Sequence, residues 1–425
     1  MANQRTNRTL TTLSQFTSQT PNVHYIPPSS TDFDKLRTIY AYPEKVPLAI
    51  LRPSTESSLA KTISFLSTNK IDFTLRTGGH HMHGRSTKPD TVVVDLRLLN
   101  TVTLDEDAVG SIASVGYVRW AMYGGYGAYA SRFGLDPDAE SDLLKGIRGA
   151  GGAFGVILDL TVRVYKLSSI LVGIIVFDSS DLLGVVRKFE DGYRALSNGS
   201  NGLPAPLYLH QVILNFPTPV FGAMFMWADE DTAIGEEWIE KICALAPVMS
   251  RTVTQTTPLA WLDEQSKLVA QNTQGRMWTI NLRQITDEAA GVIGEFTGDR
   301  RFLDDPHVLF NIHELRGGSP STTRQGAGIG KDSVFNARDP HFVIEICPTV
   351  SDTAKLEGAL TWGTEFCDAL KATEKGDILE ASYVSFLAED EFDHANVYGE
   401  HLSFLKEVKA WLDPENVFQN AISYL

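Results

Sequence analysis

Cysteine is nearly absent from this 425-residue chain: Cys243, Cys347 and Cys367 are all there is. Three scattered thiols cannot build a disulfide framework, and no pair stands at the spacing of a zinc knuckle. They read as buried free thiols. No apolar run approaches the ~18 residues of a membrane-spanning helix. The opening stretch from Met1 to Leu10 has no apolar core of the kind a secretory signal carries. Basic charge is in deficit as well. Thirty-seven Lys and Arg face 52 Asp and Glu, a formal charge of -15, and no run of basic residues offsets it locally. Such a chain does not hold nucleic acid or an anionic membrane by bulk electrostatics. The expectation is a cytoplasmic protein with neither nucleic acid nor membrane as partner; oligomeric state is not set by these features.

What is present is ordinary globular material. With 43% hydrophobic and 21% charged residues, wholesale disorder and fibrous repeats are excluded. At ~150 residues per domain the length suggests two or three domains. Residues 1–30 are rich in Thr, Ser, Gln and Asn and read as a tail or loosely docked arm. Order begins near Pro47–Pro53, a strand-like run, followed by helical spacing of Leu59, Ile63 and Leu66 and a strand at Phe73–Arg76 that runs straight into Gly78-Gly79. Thr91–Leu96 and Ser111–Val115 are further strand candidates. Beyond Tyr165, strands at Ile170–Phe177, Leu207–Leu214, Val220–Trp227, Arg276–Leu282, His307–Leu315 and His341–Cys347 alternate in blocks with amphipathic helices, the pattern of an α+β domain on an antiparallel sheet. Leu402, Leu405, Val408 and Leu412 share one face of a last helix that Asp413-Pro414 ends.

The sharpest local signal is the run Arg76-Thr-Gly-Gly-His-His-Met-His-Gly-Arg-Ser86. Paired glycines after a strand let backbone N–H groups approach a ligand, and successive free N–H groups make a concave anion nest suited to pyrophosphate. For the three histidines, a zinc site is disfavoured: they crowd one extended stretch with no Cys or acidic partner nearby. A solvated polar loop and a covalent link from one imidazole to a flavin are the remaining readings.

The Arg-x-Gly-Gly-His-x-x-x-Gly-x-Ser pattern resembles the flavin-attachment loop of the berberine-bridge-enzyme-like FAD-linked oxidases, within the vanillyl-alcohol-oxidase or PCMH-type FAD-binding superfamily. Val94-Asp95-Leu96 with Asn100, the glycine-rich Tyr123–Leu135, Asp142–Val156, His313-Glu-Leu-Arg-Gly317 and Leu405–Phe418 are similar to further family segments, in the family's order. The resemblance implies a two-domain PCMH-type FAD-binding α+β fold with an antiparallel-sheet substrate domain. Its expected divisions are an N-terminal arm over 1–40, a shortened FAD domain over 41–168, a substrate domain over 169–385 and a C-terminal return over 386–425. It implies FAD as cofactor, carried on His80, with Arg76, Gly78, Gly79, Gly84, Ser86, Gly124, Gly125, Gly127, Gly155 and Asn416 as cofactor-binding positions. It also implies an oxidase that passes hydride from a small organic substrate to flavin N5, in a site between the two domains, with dioxygen as acceptor. Tyr383 aligns with the family's late-strand tyrosine and is the candidate base or substrate hydrogen-bond donor. Its alternative is a core tyrosine; the alternative for Asn416 is a helix-terminating turn residue. Glu314 and His313 rank lower as bases, since a Glu and His in a strand usually pair structurally.

The sequence departs from the family between Trp120 and Tyr123 and between Leu135 and Asp142, where the family carries extra flavin-facing segments. No cysteine precedes Cys243, so a second, thioether link to flavin is excluded. Two explanations stay open: a shortened coding sequence of an ordinary flavoprotein, or a lineage that has discarded flavin. The second would use the same cleft for a non-redox, pericyclase-like cyclisation or for ligand binding alone.

Overall fold

The computed structural model describes residues 2–39, 45–79, 81, 83–101, 103–104, 112–113, 137–158, 161–162, 167–199, 202–215, 218–268, 273–298, 305, 307–315, 333–337, 340–383, 386–421 and 425. The chain divides into two compact units. Unit 1 comprises residues 1–165, 328–336 and 383–425; unit 2 comprises 166–327 and 337–382.

Unit 1 opens with α1 (Ala2–Ser18), β1 (Val23–Ile26), α2 (Phe33–Arg37), β2 (Ala49–Pro53), α3 (Glu56–Thr68), β3 (Phe73–Arg76) and β4 (Val92–Asp95). The four strands form one sheet in the order β1-β2-β4-β3, in which β4 pairs in parallel with both β2 and β3. Parallel strands covered on both faces need near-continuous apolar runs, and Val92, Val93 and Val94 are fully buried. Thr55 starts α3 with a reciprocal cap: its hydroxyl accepts from Ser58 N–H, and Ser58 Oγ accepts from Thr55 N–H, both at 3.1 Å.

The first thirty-odd residues are not the loose tail that their composition suggested. β1 pairs antiparallel with β2, Leu13 is fully buried, and Phe16 stacks on Phe65 with ring centroids 4.1 Å apart. The apolar stripe of α1 is only three residues wide, Leu10, Leu13 and Phe16, too sparse to stand out among seventeen mostly polar positions.

β5 (Thr103–Leu104), β6 (Ile112–Ala113) and β7 (Thr161–Val162) form a small antiparallel sheet. α4 (Pro137–Ala150) breaks its helical geometry at Arg148 and Gly149. Gly149 has φ +140°, and a Cβ there would lie 2.6 Å from Phe335 N. Only glycine fits, because Val334 N–H and Ser333 Oγ both bond the Arg148 carbonyl and draw residues 333–336 against the bend.

In unit 2, β8 (Ile170–Phe177), β9 (Leu207–Asn215), β10 (Pro219–Trp227), β11 (Val248–Arg251), β12 (Thr254–Thr256), β13 (Gln274–Gly275), β14 (Trp278–Leu282), β15 (Val308–Leu315) and β16 (His341–Val350) form a nine-stranded antiparallel sheet. Its order is β11-β8-β10-β9-β15-β16-β13, with β12 also on β8 and β14 on β16. α5 (Leu182–Ser197), α6 (Thr232–Cys243), α8 (Asp287–Thr297) and α9 (Leu356–Lys371) supply apolar residues to one core with this sheet; α7 (Pro258–Leu268) is a further helix. Alternation does the sorting. Leu207, Leu209 and Ile213 of β9, Phe310 and Ile312 of β15, and Ile344 and Ile346 of β16 enter that core with Phe189, Trp362 and Phe366. Tyr208, His210, Asn311, His313 and Glu345 fall on the opposite face. The α+β expectation with an antiparallel second sheet is met.

The chain then returns to unit 1 through α10 (His394–Tyr398) and α11 (Leu402–Leu412). Among the described residues no helix is long and apolar enough to cross a membrane.

Candidate functional site

Two groups of residues carry chemistry, one in each unit. The first is the loop that leaves β3. Asp95, directly across from Arg76 in the parallel ladder, is fully buried. It binds Arg97 Nη2 at 2.6 Å and Arg52 Nε at 3.1 Å. Burial alone would raise this carboxyl, but hydrogen bonds and charge from Arg97, then Arg52, hold it below its ordinary value. Arg76 lays its guanidinium against Gly79 of the loop, and its two terminal nitrogens donate to the carbonyls of Leu36 and Thr38. Burial, then the charge of Arg97, brings it down to about 10. Gly79 has φ +73°, and a Cβ there would lie 2.8 Å from Arg76 Nη2, so the turn and the packed guanidinium both demand glycine. Gly78 precedes it, half-buried. Gly84 has φ +65° and starts a single 3-10 turn over Arg85–Thr87.

Among the described residues of this short run, Arg76 Nε, His81 Nε2 and Ser86 Oγ are buried without a hydrogen-bond partner. The state of His81 follows from its surroundings. Its Nδ1 accepts the His83 backbone N–H at 3.1 Å, so the neutral ring carries its proton on Nε2. Burial first, then the charges of Arg85, His83 and Lys45, pushes its imidazolium form down to about 2. Arg76 Nε–H and His81 Nε2–H are thus two buried donors, with the Ser86 hydroxyl able to join them. Buried polar atoms are rarely left unsatisfied, and unpaired donors beside left-handed glycines fit an anionic group such as the pyrophosphate of FAD. The loop is fixed from the C-terminal side. His83 Nε2 donates to the Phe386 carbonyl at 2.9 Å and Arg85 Nη2 to the Leu387 carbonyl at 3.0 Å.

Of the positions expected from sequence, His80, Gly124, Gly125 and Gly127 lie outside the described residues, as do both sides of the first departure from the family, whereas the second runs into α4. Gly155 lies just beyond the 3-10 turn Gly151–Ala153, and among the described residues nothing stands within 4 Å of where its Cβ would be. Asn416 is exposed, in the left-handed region at φ +51°. It forms a turn with Asp413, whose carboxylate accepts from Val417 N–H and Phe418 N–H and pairs with Lys409 at 2.7 Å. Tyr383 is 2% exposed, with Phe335 and Phe386 as ring neighbours in unit 1.

The second group lies on the face of the unit 2 sheet opposite its helix-packed core. Tyr208 Oη bonds His313 Nδ1 at 3.1 Å, and His313 Nε2 lies 3.2 Å from Glu345 Oε2. A carboxylate only accepts, so Nε2 donates to it and Nδ1 takes the tyrosine proton. The result is an ordered chain, Tyr208 O–H to His313 to Glu345. Asn311 Nδ2 donates to the same Glu345 oxygen at 3.2 Å. Burial opposes ionisation of Glu345, yet His313, His210 and Asn311 together bring the carboxyl below its ordinary value. Tyr208 moves the other way, up to about 12, through burial and then the charge of Glu345. His210 stacks on His313 with centroids 4.1 Å apart.

Sequence reasoning named His313 and Glu314 as neighbours. The structure separates them: Glu314 points to the helices, where Tyr193 Oη donates to it at 2.5 Å. The partner of His313 is Glu345, on the next strand. Among the described residues no cluster of three or more metal-ligating side chains exists.

Residues 47–119 match the FAD binding domain family. The FAD-linked oxidoreductase aurO of Gibberella zeae is 27% identical over 96% of this chain and 86% of its own length. That alignment runs over 457 positions, more than this chain possesses, so the relative carries residues for which the chain has none. The (R)-6-hydroxynicotine oxidase of Paenarthrobacter nicotinovorans is 24% identical over 40% of this chain and 48% of its own. Among solved structures, BBE-like 1 of Physcomitrella patens superposes with a TM-score of 0.75 at 16% identity, over 95% of this chain and 97% of the other.

Proposed function

We propose that this chain, which belongs to the berberine-bridge-enzyme-like family of FAD-linked oxidoreductases, oxidises a hydroxyl-bearing small organic molecule of the secondary-metabolite kind, with dioxygen as final acceptor. FAD, when bound, supplies the two-electron acceptor for hydride. His80 is its proposed covalent anchor. Arg76, Gly78, Gly79, Gly84, Ser86 and His81 form its phosphate cradle, with Gly124, Gly125, Gly127, Gly155 and Asn416 as further contacts. The buried unpaired donors of the loop support that assignment.

The chain's own residues handle the proton, and the observation that carries this part is the Tyr208–His313–Glu345 chain. A substrate hydroxyl resting on Tyr208 Oη gives up its proton to that oxygen as Tyr208 passes its own to His313 Nδ1. The imidazolium so formed already points Nε2–H at the Glu345 carboxylate, which stabilises the charge without moving. A phenol pushed up to about 12 serves as a neutral conduit here and does not itself ionise. We assign Tyr383 a hydrogen-bonding role and place proton removal at the chain through His313.

The visible absorption spectrum of the purified protein, repeated on pellet and supernatant after acid precipitation, tests the reading. Flavin absorbance that stays with the pellet and is lost in His80→Ala supports covalent attachment. A colourless protein that takes up no added FAD overturns it. In flavin-bearing protein, Glu345→Gln is expected to slow anaerobic flavin bleaching by a responsive alcohol at least a hundredfold; unchanged bleaching sinks the assigned proton path.

A further inference from the structure

We propose that His210 selects the substrate, by accepting at Nε2 a hydrogen bond from a neutral hydroxyl other than the one oxidised. The inference deepens the oxidoreductase reading above and takes the purpose of this sheet face from it.

His210 lies on β9 directly across from His313 on β15, and their rings stack. Asn311 fixes its proton. That amide donates one Nδ2 hydrogen to Glu345 and hydrogen-bonds the His210 side chain in the sense that favours a protonated ring, so it is the amide oxygen that meets His210. A carbonyl oxygen only accepts, so the ring nitrogen bonded to Asn311 carries the hydrogen. Nε2 has no partner and is therefore the other nitrogen. It presents a bare lone pair, buried and unsatisfied. Burial, then the charge of His313, keeps the second proton away down to about pH 3.

A buried acceptor with nothing to accept is costly, and a ligand O–H removes that cost. A second such acceptor stands on the same row of the sheet. Asn281, Val343, His313 and His210 are directly paired across β14, β16, β15 and β9, roughly 14 Å from end to end at the usual strand spacing. Asn281 donates through Nδ2 to the Ala381 carbonyl, and its Oδ1 is buried without a partner. The Glu345 carboxylate sits on the adjacent row. This face therefore reads donors and repels anions. Tyr208 and His210 both touch the His313 ring, so one small molecule with two neighbouring hydroxyls reaches both.

Titration calorimetry of the purified holoprotein with catechol, guaiacol and salicylate tests this. Guaiacol keeps the shape of catechol but loses one donor; salicylate replaces one by a carboxylate. Catechol is expected to bind about tenfold more tightly than guaiacol, the usual worth of one neutral buried hydrogen bond, and salicylate not at all. In His210→Phe, which keeps the stacked ring, the catechol preference should vanish while guaiacol affinity holds; His210→Gln should restore part of it. Equal binding of catechol and guaiacol, a preference that survives in His210→Phe, tight salicylate binding, or no catechol binding overturns the proposal. Should His210→Phe fail to fold, the nitrogen-15 spectrum of histidine-labelled native protein decides, and a proton on His210 Nε2 overturns it. A flavin-free protein whose catechol preference still depends on His210 removes the oxidoreductase reading and leaves this one standing. A flavin-bearing protein with no preference does the reverse.

Discussion

Replacing Glu190 by glutamine should stabilise the protein, and increasingly so as pH rises. Glu190 lies on α5 facing the underside of β9, 4% exposed. Its Oε1 has no partner, nor does Oε1 of Gln211, the side chain it hydrogen-bonds. Burial, partly countered by Gln211 and Arg194, raises the carboxyl from 4.5 to about 7, with the charge of Glu314 adding to the rise. A carboxyl whose folded value lies above its unfolded one holds its proton more tightly when folded, so stability is greatest in acid and declines as pH climbs past 4.5 towards 7. At roughly 1.4 kcal/mol per pH unit, the native protein loses about 2–3 kcal/mol between pH 5 and pH 8 that a neutral amide does not. Glu190→Gln should therefore match the native protein within about 1 kcal/mol at pH 5 and exceed it by about 3 kcal/mol at pH 8. Its new N–H can also serve the unpaired Gln211 oxygen. Urea unfolding of both proteins at the two pH values, at equal flavin content, measures the difference. A pH-independent offset, or a variant less stable at pH 8, would refute an unpaired buried carboxylate at this position.

Tyr208→Phe should lower turnover by about 10²–10⁴ while Tyr383→Phe changes it far less; steady-state rates with the reverse ranking would move the proton path to Tyr383. Gly79→Ala must hold an alanine at φ +73° against a guanidinium bound to two carbonyls. It should cost about 1–3 kcal/mol and reduce flavin content, read from the ratio of visible to ultraviolet absorbance. Leu13→Ala should destabilise unit 1 by about 2–5 kcal/mol in thermal melts; no shift would mean that α1 is dispensable to the core.

Much of the fold was readable because strands announce themselves by alternation. The limits of β3 and β8 coincide with their sequence-predicted runs. α1 was not readable, since three apolar residues in seventeen give a weak stripe and its stability comes from packing on α3. The loop after β3 stood out by its glycines, and Gly79 and Gly84 do adopt the positive φ that such residues permit. The proton chain was hidden. Its members stand at positions 208, 313 and 345, and no spacing links residues that only sheet register brings together. One clue was available nonetheless. Adjacent residues of a strand point to opposite faces, so His313 and Glu314 could never have been partners, and a carboxylate for His313 had to come from another strand.

Unit 1 is assembled from three separate stretches of chain, and this has a consequence for its biosynthesis. Phe73 of β3 packs edge-on against Phe418, Gln419 bonds Asp72 at 2.7 Å, and Asn420 donates to the Phe73 carbonyl at 3.0 Å. The strand that launches the glycine-rich loop is thus braced by residues translated more than three hundred codons later. Unit 2, complete by Ser382, can mature on the ribosome while the glycine-rich loop still waits for its brace. If this loop holds flavin as proposed, a nascent chain stalled before residue 417 should emerge without it.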